Sequence, residues 1–118
     1  MRSLAVSLER NMRCVGNFET EPYEVGWASE ARWFVHAFEF PENTAMELIP
    51  QISFDGLFWC DYIDGNSKNV TIKIETAGLY SLPLALFGQW LRLRAVMAKS
   101  AESNERTPGI SIQLVLKG

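Results

Sequence analysis

Residues 52–62, ISFDGLFWCDY, constrain this chain more than any other stretch. Asp55-Gly56 lies between two apolar and aromatic runs, a strong hairpin signal, because a two-residue type I′ turn needs positive φ at both central positions. Counting outward from that pair, Phe54 faces Leu57, Ile52 faces Trp59 and Pro50 faces Asp61 on one side of the ribbon. On the other, Ser53 faces Phe58, Gln51 faces Cys60 and Ile49 faces Tyr62. The first side is apolar near the turn and is expected to look into a core. A three- or four-residue turn starting at Ser53 would slip the register and exchange the sides.

The rest of the chain carries the same two-residue period. Residues 4–8 alternate Leu, Val, Leu with Ala and Ser, which predicts a first strand. Cys14, Val15 and Phe18 predict a short second strand broken at Gly16, and Tyr23, Val25 and Trp27 alternate after an acidic connection. In ARWFVHAFEF, residues 31–40, both faces are largely apolar, so this strand is expected to be covered on both sides, by a loop or by another subunit. Val70, Ile72 and Ile74 mark a half-buried strand. Residues 78–88, with Pro83, read as an extended edge. In QWLRLRAVMA, Leu91, Leu93, Ala95 and Met97 share one face while Trp90, Arg92, Arg94 and Val96 share the other. Its residue types also suit a helix, but the strict alternation predicts a strand. Residues 99–108 are polar and aperiodic and read as a mobile loop, and Ile110, Ile112, Leu114 and Leu116 point inward from a last strand. About eight short strands separated by turn signals predict one all-β domain over residues 1–118, an antiparallel β-sandwich of jelly-roll type.

With 118 residues the chain can bury roughly two-thirds of its unfolded surface in one core. A formal net charge of −3 offers no general field for polyanions, so nucleic acid is not an expected partner. Glu9 and Arg10 interrupt the apolar start, so no signal peptide is expected, and synthesis in the cytoplasm follows. No membrane span is legible. Cys14 and Cys60 read as two buried thiols or as one disulfide.

No catalytic constellation emerges. His36 lies among aromatics without a positioned nucleophile, and is expected to be a packed or interface histidine. No cofactor loop is present. Asp55, Asp61, Asp64 and Asn66 gather oxygen donors near the hairpin that suit calcium, but they lack an ordered ligand spacing, so solvated turns are expected and no metal. The face carrying Trp90, Arg92 and Arg94, with Tyr62 nearby in the hairpin, is the candidate ligand-binding surface. A Trp beside two guanidinium groups suits sugar stacking, carboxylate recognition or a protein contact. The alternative is that both arginines pair with acids on the next strand.

From Met46 onward the chain resembles the discoidin domains, also called coagulation factor 5/8 type C, within the galactose-binding-like jelly rolls. Ser53, Asp55, Gly56 and Trp59 match an S-x-D-G-x-x-W turn, residues 89–93 match the strand reading roughly R-Y-I-R-I, and residues 110–118 match the terminal apolar strand ending in Gly. The chain is shorter than those domains and lacks their terminal cysteines. The resemblance implies non-enzymatic binding through loops at one end of a sandwich, commonly of glycans or lipid head groups.

Two functions are therefore expected: a glycan-binding module, or a structural subunit of a homo-oligomer such as a virion decoration or appendage. The second would hide Trp33, Phe34 or Phe38 in a symmetric contact with a protein surface.

Overall fold

The computed structural model describes residues 2–99 and 107–118. The central part of the polar segment expected to be a mobile loop, residues 100–106, lies outside the described residues. The regular elements are ten strands: β1 (Ser3–Arg13), β2 (Phe18–Glu19), β3 (Tyr23–Glu24), β4 (Glu30–Glu39), β5 (Ala45–Ser53), β6 (Cys60–Asp61), β7 (Ile72–Ile74), β8 (Gly78–Ala85), β9 (Trp90–Lys99) and β10 (Gly109–Lys117). One sheet has the order β1-β10-β4-β8, and the other runs β2-β9-β5-β6 with β3 also on β9 and β7 also on β5. All pairings are antiparallel.

The chain changes sheet at almost every step, from β1 to β2 and β3, to β4, to β5, then from β7 to β8, to β9, to β10. Counting β2 with β3 and β6 with β7 gives the eight positions of a jelly roll, two Greek keys closed on each other. The architecture expected from the alternation is the one observed.

Alternation sets the core. Ile110, Ile112, Leu114 and Leu116 of β10 are wholly buried, as are Trp33 and Val35 of β4, and they face Leu91 and Leu93 of β9 and Leu48 of β5 in the other sheet. Each such side chain contributes about 1.5–3 kcal/mol by leaving water. Tyr62 crosses the interior: it is only 6% exposed, and its hydroxyl donates to the Ala85 carbonyl of β8 at 2.6 Å, tying the sheets together.

Both edges of the second sheet are broken. β2 and β3 share the free side of β9, interrupted at Thr20, whose hydroxyl accepts from the Leu93 N–H at 2.9 Å while its own N–H donates to the Leu93 carbonyl. β6 and β7 share the free side of β5 in the same way. Short edges offer little to a foreign strand.

The hairpin forms with a different register. Gln51 pairs with Asp61 and Ile52 with Cys60, one residue out of step with a two-residue Asp55-Gly56 turn. On β5 the sides hold, with Ile52 against the core and Gln51 facing outward, whereas on the returning strand they exchange, so that Tyr62 is buried. Phe54 and Leu57, expected in the core, are each 78% exposed. The cause is local chemistry. The Ser53 hydroxyl accepts from the N–H groups of Asp55 and Gly56, and the Asp55 carboxylate accepts from those of Leu57 and Phe58. Side-chain acceptors thus close a wider turn than the backbone alone would.

One further expectation changes. The two cysteines are free thiols, but only Cys14 is buried, and Cys60 is exposed. Burial, followed by the charge of Glu9, pushes the Cys14 thiol up to about 11, while Arg13 acts in the opposite sense. About one Cys14 in a thousand is then thiolate at pH 8. A thiol reagent should label one cysteine of the native protein, Cys60, within minutes, and Cys14 only at the rate of unfolding. Two fast thiols would contradict the burial of Cys14.

Candidate functional site

The acceptors at Ser53 and Asp55 build one end of the sandwich. Hydrogen bonds from the Phe58 and, next, the Leu57 N–H hold the Asp55 carboxyl below the usual aspartate range, with a smaller contribution from the Ser53 hydroxyl. Gly56 adopts φ +82°, and a Cβ built there would lie 3.2 Å from the Trp90 ring. The turn therefore lies directly on the Trp90 indole, with glycine required for both conformation and space. Beside it, the Gln89 N–H donates to the Ser53 carbonyl and the Val25 N–H to the Gln89 carbonyl. The Glu24 carboxylate accepts from the Gly26 N–H and the Gln89 amide.

On this stitched end stand Phe54, Leu57 and Phe58, exposed by 78, 78 and 72%, and Leu86, exposed by 90%. Leu86 holds φ +58° two residues before Gly88, which lies against the Ser53 carbonyl. An exposed Leu is ordinary. Three large apolar side chains on one hydrogen-bonded turn, with a fourth on the adjoining loop, form a presented surface. Gly56→Ala should cost about 1–2 kcal/mol through the left-handed backbone alone, plus the displacement of Trp90. Denaturant unfolding checks this, and a neutral outcome would mean the turn does not rest on the ring.

The outer face of the second sheet holds the residues expected to bind a ligand. Trp90, Arg92 and Arg94 do share it, opposite Ser53, Gln51 and Ile49 of β5. Tyr62 does not; it points into the core. The arginines are already engaged within the chain. Arg92 donates to the Gln51 side-chain carbonyl at 2.8 Å and lies 4.3 Å from the Trp59 ring centroid. The Gln51 amide donates to Asp61 at 2.8 Å, and Asp61 sits 3.5 Å from Arg94. Gln51 is the hub that sequence reading missed. It is 6% exposed on an outward-facing position because Arg92 and Trp59 close over it. The alternative weighed for the arginines, pairing with a neighbouring acid, describes Arg94, while Arg92 is satisfied by an amide and an indole.

The acids near the hairpin do not converge. Asp55 caps its own turn, Asp61 is held by Gln51 and Arg94, and Asp64 accepts from the N–H groups of Asn66 and Lys68. Among the described residues no three His, Cys, Asp or Glu side chains form a group suited to a metal ion.

On β4, Trp33 is fully buried in the core and cannot serve as an interface residue, which corrects that expectation. Phe34 and Phe38 lie on the outer face, where Arg13 passes 5.3 Å from the Phe38 ring. His36 is exposed on that face and meets Phe38 edge-on. The cover expected on both sides of β4 is therefore complete on one side only.

No protein-family model and no curated protein matches the chain. Solved structures do resemble it. PBSX exported protein XepA aligns over 98% of this chain and 37% of its own, at 11% identity and a TM-score of 0.66. SPBc2 prophage-derived protein YomS aligns over 98% and 92%, at 9% identity and 0.53. A chain from the structure of infectious bursal disease virus, Gx strain, aligns over 98% and 31%, at 12% identity and 0.55. The chain thus spans little more than a third of XepA and nearly all of YomS. At such identities the likeness is one of fold: this β-sandwich is similar to folds found in a PBSX exported protein, a prophage-derived protein and a virus.

Proposed function

We propose that the protein is a structural subunit of a phage- or virus-type assembly, working through contacts between copies rather than through catalysis. The observation that carries this reading is the stitched end bearing Phe54, Leu57, Phe58 and Leu86. A hydrogen-bonded turn holds its apolar side chains in place before any partner arrives, so association loses little conformational entropy. The fold likeness to an exported PBSX protein, a prophage-derived protein and a viral chain points the same way. The glycan reading has less support, because Arg92, Arg94 and Trp90 are occupied within the chain itself.

The test is solution mass by light scattering over a hundredfold range of concentration. A mass that rises to a defined multiple of one chain supports the reading. One chain at every concentration overturns it.

A further inference from the structure

The first sheet is blunted at one edge and open at the other. Pro83 interrupts the donors of β8, but β1 carries no such device over residues 3–7. That stretch is SLAVS, without charge or proline, and the register shifts of β1 begin only after Ser7. Among the described residues β1 pairs with β10 alone.

The direction of its backbone groups follows from the chain ends. Gly118 N–H donates to the Arg2 carbonyl at 2.8 Å and Arg2 N–H to the Gly118 carbonyl at 3.4 Å, so these two exchange both bonds. In an antiparallel ladder such pairs recur at every second residue, here Leu4 with Leu116 and Val6 with Leu114. The N–H and C=O groups of Ser3, Ala5 and Ser7 therefore point away from β10, along the open edge. The core-side residues of this stretch are incompletely covered as well. Leu8 and Met12 pack against the core, but Leu4 is 37% exposed and Val6 only half-buried.

We infer that this edge pairs with the same edge of a second copy, antiparallel, about a two-fold axis midway between the two Ala5 residues. Ser3 of each copy then exchanges both backbone bonds with Ser7 of the other, and the two Ala5 residues exchange theirs. On the core side Leu4 meets Val6 of the other copy at a non-bonded position, where side chains approach most closely. Ser3, Ala5 and Ser7 on the outer side are small enough to let two copies lie flat. Centring on Ala5 keeps the pairing inside residues 3–7, ahead of the shift at Glu9. The occupant is a second copy because the stretch is complementary to itself in bond direction, side-chain size and absence of charge. The result is a continuous eight-stranded sheet, β8-β4-β10-β1 joined to its own image.

Ala5→Pro tests this, since the N–H it removes makes no bond within the chain and an edge strand tolerates the ring. Light scattering should give a two-chain mass for the parent and one chain for the variant, with unchanged thermal unfolding of the isolated chain. A second variant, Ala5→Cys with Cys60→Ser, places two thiols on the axis at about 5.5 Å between Cα atoms, within disulfide reach. Oxidation should give a covalent dimer, whereas Leu79→Cys in the same background, exposed on β8, should not. All samples also carry Phe58→Asp, so that a failure of the apolar end does not obscure the edge. A monomeric parent, a dimer that survives Ala5→Pro, or cross-linking no faster at Ala5 than at Leu79 overturns the inference.

Discussion

Replacing Trp33 with alanine should cost about 3–5 kcal/mol of folding stability, the usual loss for emptying a buried indole site. For a chain of this size that lowers the melting temperature by about 10–20 °C. Trp33 is wholly buried in the centre of β4, between β10 and β8. Its Nε1–H has no hydrogen-bond partner, a group that ordinarily costs about 1–3 kcal/mol when buried. Trp33→Phe should therefore be mild, within about 1.5 kcal/mol of the parent, because relief of the orphan donor offsets the smaller ring. Equilibrium denaturation of both variants is the measurement. A Phe variant as unstable as the Ala variant would mean that the indole N–H is bonded after all.

Leu57→Asp and Phe58→Asp should each weaken self-association about 10- to 150-fold while leaving the fold intact. The estimate follows from the 1.5–3 kcal/mol gained when a large apolar side chain leaves water. Both side chains are more than 70% exposed in the isolated chain, so neither change should move folding stability beyond about 0.5 kcal/mol. Sedimentation equilibrium at several loading concentrations gives the association constants, and far-UV dichroism checks the fold. Unchanged constants in both variants would remove the apolar end from the assembly and leave the proposal without its main support.

Much of the fold was legible because alternation is a strong signal when one face of a strand is buried. Ile110 to Leu116 and Leu91 to Ala95 fell where the period placed them. The helix-favouring composition of β9 was outweighed by pattern, since Leu91, Leu93 and Ala95 can share a core only in a strand. The turn was less legible. A two-residue Asp-Gly bend is the backbone's preference, and the Ser53 hydroxyl and Asp55 carboxylate together outweigh it. One signal was available: Leu57 and Phe58 are adjacent, so a strand covered on one side cannot bury both. Gln51 could not have been found. Its burial depends on Arg92, far along the chain, folding over it. Tyr62 was misplaced for the same reason that the register slipped, since one residue of shift moves every side chain of the returning strand to the other face.

The alternation of the chain between sheets also sets how it must fold. Among the described residues every strand pairing but that of β5 with β6 joins elements that are not successive along the chain, and β1 waits for β10. Loop closure on that scale precedes any reward, which places jelly rolls among slow folders, with rates of order milliseconds to seconds. The ribbon around Asp55-Gly56 is where sequence neighbours meet in one sheet, and hairpins close in about 1–10 μs. It is therefore the natural nucleus. Phe54, Leu57 and Phe58, exposed in the native state, sit on the first segment able to form. Until the long pairings close, the open edge of β1 and the strands of the future core are exposed together, so crowded synthesis of many copies would favour tangles over subunits.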